Sequence, residues 1–127
     1  MNENQQTVKL QDSEIKVMDV LWRQGDMPAK AIADLLSAQV GWNVNTTYTL
    51  IKRCIAKGAI ERTEPKFMCH ALIPRAQVQV SETRELLDKI FDGAADKLFA
   101  ALLDQKALSK GEIEGLKALV ARLDEEA

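Results

Sequence analysis

The side chains best suited to chemistry cluster in the run NVNTTYTLIKR, residues 43–53. On a helix advancing about 100° per residue, Asn45, Thr49, Lys52, Arg53 and Ala56 share one side, with Thr46 beside them. Val44, Tyr48, Ile51 and Ile55 share the other, which is predicted to be core. The polar side faces solvent or a partner. Two chemistries suit it: carboxamides and hydroxyls that hydrogen-bond base edges, and cations that neutralise phosphates. Asn45, Thr46 and Thr49, near the helix N-terminus, are the candidate base readers, with Lys52 and Arg53 further along. N–H groups near Asn43 and Val44 add a phosphate-attracting helix end. Arg62 and Lys66, a few residues downstream, are placed to touch the adjacent backbone. A solvated face is the alternative, but Thr is a mediocre helix former that surface positions do not require, which favours binding.

Other chemistries find little support. There is no nucleophile, base and orienter set and no Gly-rich phosphate loop, and His70 is the sole histidine, so an enzyme is not expected. Cys54 and Cys69 are the only cysteines. They read as small buried apolar residues that remain thiols in a reducing compartment, not as a disulfide framework. Structural zinc usually takes four ligands, so Cys69 and His70 make a poor metal site, and no metal or other cofactor is expected. Thiol or metal sensing through Cys54, Cys69 and His70 stays open as an added regulatory layer.

The chain has 127 residues, enough for one domain or two small modules. Its net charge of −2 is unevenly spread. Residues 1–80 hold ten Lys/Arg against eight Asp/Glu, residues 81–127 seven against eleven, and the stretch 44–80 six against two. A front half facing an anionic partner is implied. The polar start MNENQQTVKLQDSE lacks a signal-peptide pattern, and no run approaches the roughly 18 apolar residues of a membrane span. A soluble, cytoplasmic protein with no membrane partner is expected.

The elements that must position these residues follow from periodicity. After a flexible tail over 1–9, DSEIKVMDVLWRQG predicts a helix capped by Asp12 or Ser13, apolar at Ile15, Met18, Val20, Leu21 and Trp22, and closed by Gly25. MPAKAIADLLSAQ predicts a second helix, with Pro28 at its start and a stop near Gly41. The third runs from Val44 to about Lys57, with Asn43 as N-cap and Gly58 as stop. Two extended runs, Ile60 to Thr63 and Met68 to Ile73, flank a turn holding Pro65 and predict a hairpin. Three helices and a hairpin over 10–74 are the order of a winged helix-turn-helix, although periodicity alone also fits other small α+β modules.

Pro74 is the expected boundary, and residues 75–127 read as three further amphipathic helices. Their apolar stripes are Leu86, Leu87, Ile90 and Phe91; Leu98, Phe99, Leu102 and Leu103; and Ile113, Leu116, Leu119, Val120 and Leu123. Gly93 and the KALSKG segment divide them, and Ser109 with Glu112 forms a capping box. So short a segment has little core of its own, so the stripes predict a homodimer interface, with packing on the front module as the alternative.

SEIKVMDVLW, GWNVNTTYTLIKRCIAKGAIER, IFDGAADKLFAALL and LSKGEIEGLKALV together resemble the penicillinase-repressor family of bacterial transcriptional regulators (BlaI/MecI/CopY type). The pattern Trp-x-x-x-Thr-x-x-Thr-Leu-x-x-Arg-x-x-x-Lys-Gly is similar to that family's third helix and turn. The resemblance covers roughly residues 10–123. It implies a mainly α protein: a winged helix-turn-helix followed by a three-helix dimerisation domain, acting as a homodimeric repressor on pseudo-palindromic double-stranded DNA operators. By position, Asn45, Thr46, Thr49 and Arg53 match the recognition-helix residues, Asn45 standing where some members have Lys. Antibiotic-responsive members are cut by a regulatory protease at an Asn-Phe bond, whose counterpart here is Ala101-Leu102. Copper-responsive members end in Cys-x-Cys pairs, and this chain has no cysteine after Cys69. A winged protein-interaction adaptor is the rival reading.

Overall fold

The computed structural model describes residues 8–126. Its elements run α1 (Asp12–Gln24), β1 (Met27–Pro28), α2 (Ala29–Val40), α3 (Val44–Ala56), β2 (Ile60–Thr63), β3 (Met68–Ala71), α4 (Arg75–Ile90), α5 (Ala95–Asp104) and α6 (Lys110–Glu126). The chain divides into two compact units, the second beginning at Glu82. The first is a winged helix: α1 to α3 backed by an antiparallel sheet in the order β1-β3-β2.

Helix α1 starts one residue earlier than expected. Gln11, not Asp12 or Ser13, is the N-cap, and Glu14 at N3 reaches back to accept the Gln11 N–H at 2.8 Å. Met27 and Pro28 pair with Cys69 and Met68 as a short edge strand, and Pro28 caps the helix that begins at Ala29. A proline is tolerated there because an edge strand need not donate on its outer side. Gly41 takes the left-handed conformation (φ 74°) that turns α2 into α3.

The core gathers Val17, Met18 and Leu21 from α1, Ile32 and Leu36 from α2, Leu50, Ile51 and Cys54 from α3, and Ile60 and Cys69 from the sheet. On α3 the buried stripe is Thr47, Leu50, Ile51 and Cys54. That departs from the expected Val44, Tyr48, Ile51 and Ile55. Both sets keep to one side at about 100° per residue, but the buried side is centred about 80° further round the helix, so Val44 is exposed while Tyr48 and Ile55 are half-buried. The Thr47 hydroxyl is sealed in this stripe without a hydrogen-bond partner among the described residues.

The first unit continues past the expected boundary at Pro74. Trp22 Nε1 donates to the Ile73 carbonyl at 2.9 Å, Arg75 Nη2 donates to Asp19 Oδ1 at 2.9 Å, and Val78 is buried in the core. The first turns of α4 therefore pack on α1, and the unit runs to Ser81. At the other end, residues 1–7 of the expected tail lie outside the described residues. Val8 packs against the core, and the Lys9 carbonyl accepts from Lys57 Nζ.

The second unit holds the rest of α4 with α5 and α6. The capping box at α6 is present: Ser109 N–H donates to Glu112 Oε1 at 2.8 Å and Glu112 N–H to Ser109 Oγ at 3.1 Å. Among its described residues only Leu87 is buried. Leu86, Ile90, Phe99, Leu103, Leu119 and Leu123 are exposed, and Phe91, Leu98, Leu102 and Leu116 are half-buried.

Candidate nucleic-acid interface

Helix α3 is held at both ends. Asn43 accepts the Asn45 N–H on its side-chain oxygen at 2.7 Å, and its carbonyl accepts the N–H groups of Thr46 and Thr47. These bonds leave the Val44 N–H at the helix end, so less free backbone faces a phosphate than the sequence suggested. At the far end Lys57, the C-cap, turns inward. Its Nζ lies 2.6 Å from Glu14 Oε1. Burial, the largest influence, pushes the Glu14 carboxyl up, but hydrogen bonds from Lys57 and from the Gln11 N–H, with the charges of Lys57 and Arg53, outweigh it. The net effect holds Glu14 below its ordinary 4.5. The ion pair thus ties the end of α3 to the start of α1.

With the helix so fixed, Asn45, Thr46, Thr49, Lys52 and Arg53 all stand on its exposed side. At about 1.5 Å per residue, Asn45 and Arg53 are separated by about 12 Å along the axis, which spans a few base steps. The core stripe lies behind them.

The hairpin tip sits beside this face. The Phe67 ring lies 6.0 Å from the Tyr48 ring of α3, tilted by 53°, and the Phe67 carbonyl accepts the Ala29 N–H at 2.9 Å. Lys66 and Phe67 both take positive φ, 72° and 51°, which non-glycine residues adopt sparingly. The Phe67 packing holds them there. Arg62 stacks over Phe67, its Cζ 3.6 Å from the ring centroid, and its Nε donates to Glu64 Oε2 at 2.5 Å. Arg62 is thereby joined to α3 through Phe67 and Tyr48, and Lys66 is exposed at the same tip. Glu64 and Phe67 escaped the sequence reading, which took Tyr48 only as a core residue. The signal was the acid and aromatic flanking the basic residues of ERTEPKF.

The remaining candidates separate. Cys54 and Cys69 are buried, and burial pushes their thiols up to about 12 and about 11. Thiols that stay protonated are poor ligands and nucleophiles. His70, adjacent to Cys69 on β3, is exposed with its Nδ1 2.8 Å from Asp26 Oδ1. Neighbours on a strand point to opposite faces, so Cys69 and His70 do not converge. Among the described residues no group of three or more His, Cys, Asp or Glu converges either. The Ala101-Leu102 bond lies inside α5, both residues half-buried, with the Ala101 carbonyl accepting the Gln105 N–H at 3.1 Å. No helix of the described residues is long and apolar enough to cross a membrane.

A family model described as "Penicillinase repressor" matches residues 10–122. The chain belongs to the penicillinase repressor family. Membership sets it among DNA-binding transcriptional repressors. The methicillin resistance regulatory protein MecI of Staphylococcus aureus (strain N315) is 25% identical over 116 residues, 90% of this chain and 94% of that protein. The penicillinase repressor of Bacillus licheniformis is 24% identical over 110 residues, 85% and 86% of the two chains. Among solved structures, the DNA binding domain of the repressor BlaI matches with a TM-score of 0.51 at 25% identity, over 61% of this chain and 93% of that one. The winged helix of this penicillinase-repressor family member thus has the fold of a DNA-binding domain.

Proposed function

We propose that this protein represses transcription in the cytoplasm as a homodimer on pseudo-palindromic operators. Each copy sets α3 into a major groove, with Asn45, Thr46 and Thr49 at base edges and Lys52 and Arg53 toward the phosphates. Arg62 and Lys66 lie along the flanking backbone. The observation that carries this reading is the pairing of an exposed polar face on a helix capped at both ends with a hairpin tip packed beside it.

Dimerisation draws on the second unit. Leu103, Leu119 and Leu123 are 52%, 52% and 64% exposed, and an apolar groove of about 510 Å³ lies between Phe99, Leu103, Leu108, Ile113, Leu116 and Val120. A soluble protein rarely leaves so much apolar surface uncovered, and a second copy covers it with a self-complementary patch. Tethering two winged helices makes the second half-site contact intramolecular.

Selection of bound sequences from random duplex DNA by the full chain tests the proposal. The expected product is a two-fold-related pair of half-sites with centres about 34 Å apart, or a multiple of that. A single unsymmetrical site, or no enrichment, would reject it.

A further inference from the structure

The hairpin tip carries an acid in a region otherwise rich in cations. Residues 44–80 contain only Glu61 and Glu64 as acids, against six Lys/Arg. Glu64 uses both carboxylate oxygens: Oε2 accepts from Arg62 Nε at 2.5 Å, and Oε1 accepts the Phe67 N–H at 3.3 Å. Arg62 lies flat over Phe67, and Phe67 adjoins Tyr48 of α3. One carboxylate therefore pins the guanidinium to the tip and pairs with the hairpin cation that Phe67 joins to α3.

We infer that Glu64 is an internal competitor for the DNA backbone, holding Arg62 in the unbound protein and keeping operator affinity below what the hairpin's cations would otherwise reach. The inference rests on the DNA-binding reading above. Arg62 and Glu64 are exposed, at 45% and 61%, and an ion pair in that setting is weak enough for a phosphate to displace it. The competition still has a cost. A cation already neutralised by the protein has less counterion to release when it meets DNA, and the freed carboxylate stands beside the phosphates. Arg62 engages Glu64 through Nε, so its terminal nitrogens are the edge that a phosphate would meet bidentately. The other hairpin acid, Glu61, lies opposite His70 in the sheet register, one residue out of phase with Arg62 and thus on the other face.

The test compares the full chain with E64Q, R62A and the double variant in salt titrations on the selected duplex. Gln keeps the acceptor for Phe67 N–H and removes only the charge; Glu64→Ser, read in the same way, guards against an effect peculiar to Gln. The expected result is that E64Q binds roughly three- to tenfold tighter at low salt, with the slope of log K against log salt steeper by up to about one per chain. In the R62A background the gain falls to the smaller share owed to carboxylate repulsion alone. An unchanged or weaker E64Q overturns the inference, as does an equal gain with and without Arg62, which would be plain repulsion of the carboxylate by DNA. In either case the DNA-binding reading stands. A parent chain that shows no salt-dependent binding to duplex DNA would fell that reading and this inference together.

Discussion

Lys57 Nζ stands 2.6 Å from Glu14 Oε1, so the end of α3 is locked to the first turn of α1 by an ion pair whose acid is only 1% exposed. The folded-state pKa of Glu14 is depressed, so its contribution is present above the ordinary value of 4.5 and is lost as pH falls through the lower folded value. Lys57→Met should cost roughly 1–3 kcal/mol at neutral pH, a discounted figure because the Lys57 side chain keeps a third of its exposure. It should also weaken the dependence of stability on Glu14 ionisation, since both Lys57 contributions that hold the carboxyl down are lost while the burial that pushes it up remains. Denaturant unfolding at several pH values between 3 and 7 checks both.

On α3, Lys52→Ala or Arg53→Ala should weaken binding to all sequences about equally and lower the salt slope by about one. Asn45→Ala should instead relax discrimination at one base pair by about 1–3 kcal/mol. Titrations on the selected operator and on single-base variants separate the two outcomes. If all three variants match the parent, α3 is not the reader.

In the second unit, Leu119→Glu sets a charge on an exposed apolar residue of α6. The dimer dissociation constant should rise by at least about tenfold while helix content stays unchanged, because the side chain is not part of a monomer core. Sedimentation equilibrium with circular dichroism is the measurement. An unaltered association constant would exclude this part of α6 from the interface.

A fragment spanning 1–81 should fold, because it retains the Arg75 contact to Asp19 and the buried Val78. One ending at Pro74 should melt at a lower temperature. The longer fragment should bind the operator on the order of a hundredfold or more weaker than the full chain, since its two half-site contacts are no longer tethered. Equal affinity would break the proposed link between dimerisation and repression.

Much of the front unit was legible because its punctuation is explicit. Gly25, Gly41 and Gly58 end or turn helices and Asn43 caps α3, and in the second unit the Ser109 to Glu112 capping box that opens α6 was equally plain. What escaped depended on long-range partners. Met27 and Pro28 are a strand only because Met68 and Cys69 pair with them. Gln11 is an N-cap by virtue of Glu14, whose burial depends on Lys57, 43 residues away. The boundary was set at Pro74 because Val78 has few apolar neighbours in sequence, and its burial in the front core is a tertiary fact. The polar face of α3 was read from spacing alone, whereas the Arg62, Phe67 and Tyr48 stack beside it needed the hairpin's path.

Thr47 sits in the buried stripe directly behind the reading face, its hydroxyl unanswered by any described residue. Thr47→Val would exchange that hydroxyl for a methyl of similar shape and remove an unmet desolvation cost of about 1–3 kcal/mol. A higher melting temperature with an unaltered operator preference is the expected result. The helix proposed to read DNA therefore has thermal headroom, which a single exchange on its hidden side would release without touching a group offered to the proposed operator contacts.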